Sequence, residues 1–229
     1  MAKNGGTIKS WEQGLRPPCV AVILGFRRKG KSALAWWLLE RLHKKGLTAC
    51  CVGLHRKHHK LVPKWVKHHD DITKLPKNSV VLLDEAALRF AARRFSSDPN
   101  VMMQALIALS GQKSQTIIFV AHVSRLLDVD SIMESDVVVF KMPSLAHAKF
   151  ERREIAEYTK EARKQLQVKR DPKRWAWLVD FHDDRRGLLS NGLPSFWTEE
   201  LSHAWADMAI ADVKLKKETK GKKKKGTTT

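Results

Sequence analysis

The run Gly25-Phe26-Arg27-Arg28-Lys29-Gly30-Lys31-Ser32 follows the apolar stretch Cys19–Leu24 and precedes the helix-compatible Ala33–Lys45. It has the spacing of a Walker A phosphate loop. Two glycines let the backbone curl with its N–H groups turned inward toward phosphate oxygens, the lysine neutralises β- and γ-phosphate charge, and the serine hydroxyl suits Mg²⁺. An ordinary glycine turn would explain the pattern alone, but not the buried strand before it and the helix after it. A polyphosphate nucleotide is the expected ligand, touched by Gly25, Arg28, Lys29, Gly30, Lys31, Ser32 and Ala33. Arg27, Arg28 and Lys29 crowd positive charge into the loop, to contact phosphates or to face solvent.

Around this loop, apolar and β-branched runs recur at Cys19–Leu24, Thr48–Leu54, Ser79–Leu83, Thr116–Ala121 and Asp136–Phe140. They are too apolar for a sheet with one wet face and read as buried parallel strands. Helix-compatible stretches lie between them, Ser32–Lys45 and Val101–Leu109 being the clearest, so the order implies an α/β sheet covered by helices on both faces. The loop then sits where ligands bind such sheets, at the carboxyl end of a strand. Further on, Ser144–Lys169 reads as an amphipathic helix and Arg174–His182 as a strand. Asp183–Gly187 reads as a turn leading to Leu188-Leu189, and Thr198 as the N-cap of a last short helix.

A second apolar strand ends in carboxylates: Val80-Val81-Leu82-Leu83-Asp84-Glu85. Beside a Walker A loop this is the form of a Walker B strand, with Asp84 orienting the Mg²⁺ shell and Glu85 polarising the attacking water. A glutamate there suits hydrolysis rather than transfer to a second acceptor. The catalytic set expected is Lys31, Glu85 and His122, the last following Phe119-Val120-Ala121 at a strand tip as a γ-phosphate sensor, with Ser124 behind it. Ser32 and Asp84 are the expected Mg²⁺ ligands, and ATP and Mg²⁺ the expected cofactors. A further cation for the transition state, supplied by a neighbouring subunit, could be Arg93, Arg94, Lys113 or Arg125.

The chain has 229 residues, 43% of them hydrophobic, enough for one main domain. The organisation expected is an N-terminal arm over 1–16, a P-loop ATPase domain over 17–213 and a basic disordered tail over 214–229. No apolar run is long enough to cross a bilayer and the first residues lack the apolar core of a signal peptide, so no stable membrane insertion and a cytoplasmic location are expected. Cys19, Cys50 and Cys51 fall in strand-like stretches and read as reduced, buried thiols. The formal charge is +19, and Lys214–Lys225 alone contains eight lysines and one glutamate. An excess of that size points to a polyanionic partner, nucleic acid before an acidic membrane or protein surface. The patch from His55 to Asp70 holds five histidines among lysines. It reads as a solvated loop or a DNA-facing loop, and less well as a metal site, because its lysines would repel a dication. Trp36 and Trp37 read as core or subunit-interface residues.

Walker A, Leu82-Leu83-Asp84-Glu85-Ala86, Thr116–His122 and Leu127–Ile132 leading to Asp136–Phe140, taken in that order, resemble the FtsK–HerA superfamily of DNA-pumping ATPases. Within it the chain is most similar to the compact genome-packaging ATPases of tailless, internal-membrane icosahedral viruses, partly through Leu193-Pro194-Ser195-Phe196-Trp197 and Glu199-Glu200-Leu201-Ser202. The resemblance spans about residues 17–205. It implies a RecA-like P-loop NTPase fold with a mostly parallel sheet and a small C-terminal β/α extension. It also implies a self-assembled ring, pentamer or hexamer, that threads double-stranded DNA and loads a genome into a capsid, docked at a vertex protein. Two departures stand out: His122 replaces the superfamily's strand-end glutamine, and Gln112-Lys113 stands where an arginine is common. A kinase of a small acceptor and a nucleotide-switched DNA-binding protein are the alternative readings.

Overall fold

The computed structural model describes residues 6–94, 98–121 and 129–205. Five strands form where the apolar runs predict: β1 (Val20–Leu24), β2 (Thr48–Val52), β4 (Ser79–Asp84), β5 (Thr116–Val120) and β6 (Val137–Phe140). Their side chains are buried on both faces with one half-buried exception, Thr48, which is why the runs do not alternate. Three more strands complete the sheet: β3 (Lys67–His69), β7 (Trp175–Asp180) and β8 (Arg185–Ser190). The order across it is β3-β2-β4-β5-β1-β6-β7-β8. All neighbours from β3 to β6 run parallel, whereas β7 and β8 are an antiparallel hairpin added beside β6.

Among the described residues eight helices accompany the strands: α1 (Trp11–Gly14), α2 (Lys31–His43), α3 (Glu85–Arg94), α4 (Pro99–Gln112), α5 (Val129–Met133), α6 (Leu145–Phe150), α7 (Arg153–Gln167) and α8 (Glu199–His203). From β1 the chain passes through α2 leftward in the sheet order to β2. From β4 through α3 and α4 to β5, and through α5 to β6, it moves rightward. Right-handed crossovers place these two groups on opposite faces of the sheet, the doubly covered arrangement that buried strands require.

α2 is the central helix: Leu34, Ala35, Trp36, Leu38 and Leu39 are fully buried. Its outer side is covered by residues from the segment 193–205. Trp36 stacks on Trp205, with ring centroids 6.2 Å apart, and meets Phe196 edge to face at 5.8 Å. The Glu40 carboxylate accepts hydrogen bonds from the Ser195 N–H (3.0 Å) and Oγ (2.6 Å), fixing Leu193–Trp197 across the helix. Thr198 caps α8 as its sequence predicts, accepting from the Leu201 N–H at 3.1 Å.

Two local readings are revised. Ser144–Lys169 forms two helices rather than one, because Arg152 is extended (φ −58°, ψ 143°) and starts α7 afresh. The turn before β8 is tighter than Asp183–Gly187: Arg185 and Arg186 already belong to the strand and pair with Asp180 and Val179, respectively. Their charge is met by Asp180, Asp183, Asp184 and Glu161. Within the segment 1–16, the described residues 6–16 lie against this edge of the sheet. The Ile8 N–H donates to Arg186 O (2.7 Å), the Trp11 indole N–H donates to Ser190 O (2.7 Å), and Ile8, Trp11 and Leu15 are buried in the core.

Candidate nucleotide site

Because β1, β2, β4, β5 and β6 are parallel, their carboxyl ends share one edge. That edge carries the loop Gly25–Gly30 after β1, Asp84-Glu85 at the end of β4, Ala121 after β5 and Lys141 after β6. The antiparallel hairpin adds the start of β7 and Asn191 at the end of β8. The loop takes the curled form its glycines predict: Gly25 has φ +146°, Arg28 +59° and Gly30 +83°. Gly30 caps α2 from the left-handed region and no side chain caps the helix start. The first N–H groups of a thirteen-residue helix are thus available to an anion. Phe26, Arg27 and Arg28 are exposed, Lys29 and Ser32 half-buried, Ala33 buried.

Lys31, first residue of α2, is buried, and its ammonium donates to Gly25 O (2.9 Å) and Phe26 O (3.2 Å). Burial pulls its pKa down to about 8 against the opposing influence of the Asp84 and Glu85 carboxylates. Those two carboxylates therefore lie within electrostatic reach of the loop lysine, although more than fifty positions separate them in the chain. Asp84 is buried and accepts one hydrogen bond among the described residues, from the Ala86 N–H at 3.0 Å. Burial pushes its pKa up to about 7; Glu85 adds to the rise while the Ala86 N–H and Lys31 oppose it. A cation against the same oxygen would reverse that push. Glu85 opens α3, is buried, and forms an ion pair with Arg89 at 3.3 Å.

The residues fit a nucleotide and a magnesium ion. The Ser32 hydroxyl and the Asp84 carboxylate are hard oxygen donors, the kind Mg²⁺ takes, and Asp84 has free acceptor capacity in a buried position. Lys31 and the uncapped start of α2 provide the donors a phosphate chain requires.

Other predicted residues fall elsewhere. His122, Ser124 and Arg125 lie outside the described residues, although Ala121, whose N–H donates to Ile23 O at 3.0 Å, ends β5 at the edge that carries the loop. Lys113 is at the opposite edge, at the end of α4, where its ammonium donates to Thr73 O at 3.1 Å. The histidine patch folds into a 3-10 turn, Arg56–Leu61, and the edge strand β3, with His59 stacked on His68 at a centroid distance of 3.5 Å. Among the described residues no group of three or more His, Cys, Asp or Glu side chains is placed to hold a metal ion. Cys19, Cys50 and Cys51 are free and buried, as expected. No described helix is long and apolar enough to cross a membrane.

Sequence reasoning passed over two residues of this edge, Lys141 and Asn191. Lys141 is fully buried directly beneath the loop, and its ammonium donates to Lys173 O, Trp175 O and Asn191 Oδ1, each at 2.7 Å. A lysine at the end of an unbroken apolar strand was the one available signal.

A phosphate loop after the central strand, carboxylates two strands away on the same edge and a mostly parallel sheet covered on both faces define a P-loop NTPase fold. Solved structures with this fold include B204, the DNA-packaging ATPase of Sulfolobus turreted icosahedral virus. It is 14% identical with a TM-score of 0.56, over 78% of this chain and 100% of that chain. The genome packaging NTPase B204 of Sulfolobus turreted icosahedral virus 2 is similar in complex with sulfate (13% identity, TM-score 0.57, 78% and 98% covered). So is its complex with ATP-gammaS (12%, 0.55, 78% and 100%). No protein-family model matches the sequence, and no curated protein matches it.

Proposed function

We propose that this chain is an Mg²⁺-dependent ATPase that moves double-stranded DNA as a homo-oligomeric ring, loading a viral genome into a preformed capsid from the cytoplasmic side of a capsid vertex. The observation that carries the reading is the convergence of Lys31, Asp84 and Glu85 at one sheet edge, buried together at the mouth of an open phosphate loop. A glutamate directly after an aspartate that would hold magnesium supports attack by water over transfer to a second acceptor. In hydrolysis, water oxygen bonds to the γ-phosphorus, the bond from that phosphorus to the bridging oxygen of ADP breaks, and Glu85 takes the water's proton. Lys31 exchanges the Gly25 and Phe26 carbonyls for phosphate oxygens, and the α2 N-terminus holds the chain in line. Magnesium held by Ser32 and Asp84 would neutralise charge on the β- and γ-oxygens. DNA as the polyanion is supported by the +19 charge and by the packaging ATPases that share the fold.

The test is ATP hydrolysis by the full chain with and without long double-stranded DNA at moderate salt, with Lys31→Ala as the blank. Stimulation by DNA that vanishes in the blank is the expected result. Tight ATP binding with no turnover, with or without DNA, would refute the motor and leave a nucleotide switch.

A further inference from the structure

Lys141 is an unusual residue to bury. Apolar side chains of its length fill such space at no cost in desolvation, whereas this ammonium is completely enclosed and burial pulls its pKa down to about 7. The enclosure is nonetheless fully matched: three N–H donors meet three acceptors, Lys173 O, Trp175 O and Asn191 Oδ1, all at 2.7 Å. The acceptors belong to the 3-10 turn Pro172–Arg174, the first residue of β7 and the residue after β8. One side chain thereby gathers three separate parts of the C-terminal region at a single point. That point touches the phosphate loop. A Cβ on Gly25 would lie 2.7 Å from Lys141 O, and a Cβ on Gly30 would lie 3.2 Å from Lys173 O and 3.6 Å from Lys141 Cε. Both Walker A glycines thus face Lys141 or the turn that it holds.

The sheet order gives this contact a direction. Reading across the carboxyl edge, Asp84 and Glu85 stand on the β4 side of the loop, and Lys141 with the turn Pro172–Arg174 stands on the β6–β7 side. A nucleoside triphosphate is a rod with two unlike ends. On the reading of the site as an ATPase, on which this inference rests, the γ-phosphate lies toward the carboxylates that act on water. Its sugar and base must then leave toward the opposite side, where the turn offers a half-buried proline and the exposed cations Lys173 and Arg174. We propose that Lys141 is a positioning residue that fastens Pro172–Arg174 against the phosphate loop as the wall on which the nucleoside part of the nucleotide rests.

The full-length chain tests this through the difference between ligands with and without a nucleoside. AMP and ATP-gammaS carry the sugar and base; inorganic tripolyphosphate carries only the phosphates. For Lys141→Met, which keeps the length and removes the donors, AMP and ATP-gammaS affinity should fall by roughly tenfold or more, the size of a lost charge-assisted hydrogen bond. Tripolyphosphate affinity should change by less than about threefold, and the loss in turnover should appear mainly as a raised KM. Should Lys141→Met not fold, as judged by its circular dichroism melt, Asn191→Ala replaces it. That variant leaves the ammonium two acceptors and should show the same split between ligands at smaller size. Equal losses for both ligand classes in whichever variant folds, or no loss in either class, would overturn the proposal. Tripolyphosphate that binds wild type and Lys31→Ala alike would instead refute the nucleotide-site reading itself.

Discussion

If Glu85 is the base proposed above, Glu85→Gln should separate chemistry from binding at this site. The substitution keeps the shape of the side chain at the start of α3 and removes only its charge and basicity. A positioned general base is worth about 10²–10⁴ in rate, or roughly 3–5 kcal/mol of barrier, so hydrolysis should fall by that factor. The structural cost is far smaller. Glu85 loses an ion pair with Arg89 at 3.3 Å, but the arginine side chain is 30% exposed and the amide oxygen of the replacement can still accept from it, so the cost stays at ~1 kcal/mol. In a chain of this size 1 kcal/mol moves Tm by about 2–4 °C, too little to unfold the protein at assay temperature. ATP affinity should stay within about threefold of wild type, because on the proposed reading Lys31, Ser32 and the α2 N-terminus, not Glu85, contact the phosphates. The assay is single-turnover hydrolysis beside equilibrium binding of ATP. A Glu85→Gln protein that binds ATP normally and hydrolyses it within about tenfold of the wild-type rate would refute the assignment of Glu85 as the base.

Gly25→Ala should abolish nucleotide binding and lower Tm by more than Gly46→Ala. Both add a Cβ at positive φ, which costs about 1–2 kcal/mol by itself. At Gly46 the new atom meets nothing within 4 Å, whereas at Gly25 it would strike Lys141 O at 2.7 Å; comparing the two thermal melts checks the difference. The His59–His68 stack should make the chain acid-sensitive. Burial, aided by His59 and His69 and opposed by Asp70, pulls the His68 pKa down to about 4 from 6.5. Between those values the unfolded chain binds the extra proton, so stability is present above pH 6.5 and is lost as pH falls toward 4. His68→Phe, which retains a ring for stacking, should flatten that part of the stability profile measured by urea unfolding, and a profile that keeps its slope would contradict the assignment.

The parts of the fold that could be read from sequence are those whose information is local. A buried parallel strand announces itself because both faces demand apolar residues, and β1, β2, β4, β5 and β6 each fall within about two residues of the predicted runs. Edge elements carry no such mark. β3 is Lys67-His68-His69, three polar residues paired on one side only with β2, and nothing in its composition distinguishes it from the loop around it. β8 begins with two arginines because its outer edge meets residues 6–8 and four nearby carboxylates rather than a second apolar layer. Their charge therefore reads as turn.

The site divides along the same line. Gly25–Ser32 is contiguous, so its spacing alone encodes the backbone curl, and Asp84-Glu85 is found by the strand that precedes it. Lys141 is different: its three partners lie 32, 34 and 50 positions downstream, in the turn before an antiparallel hairpin and at the two ends of that hairpin, whose register no local pattern specifies. A lone lysine after Val137–Phe140 reads as the point where a strand reaches solvent. It becomes an anchor only once β7 and β8 have been laid beside β6, which brings backbone carbonyls and an asparagine to the place where water would otherwise be. Two glycines that a phosphate ligand already calls for then acquire a second reason to be glycine. Any side chain there would have to share space with Lys141 or with the turn that Lys141 holds. The phosphate loop is thus shaped from both sides, by its own sequence above and by a buried charge beneath it that the sequence does not advertise.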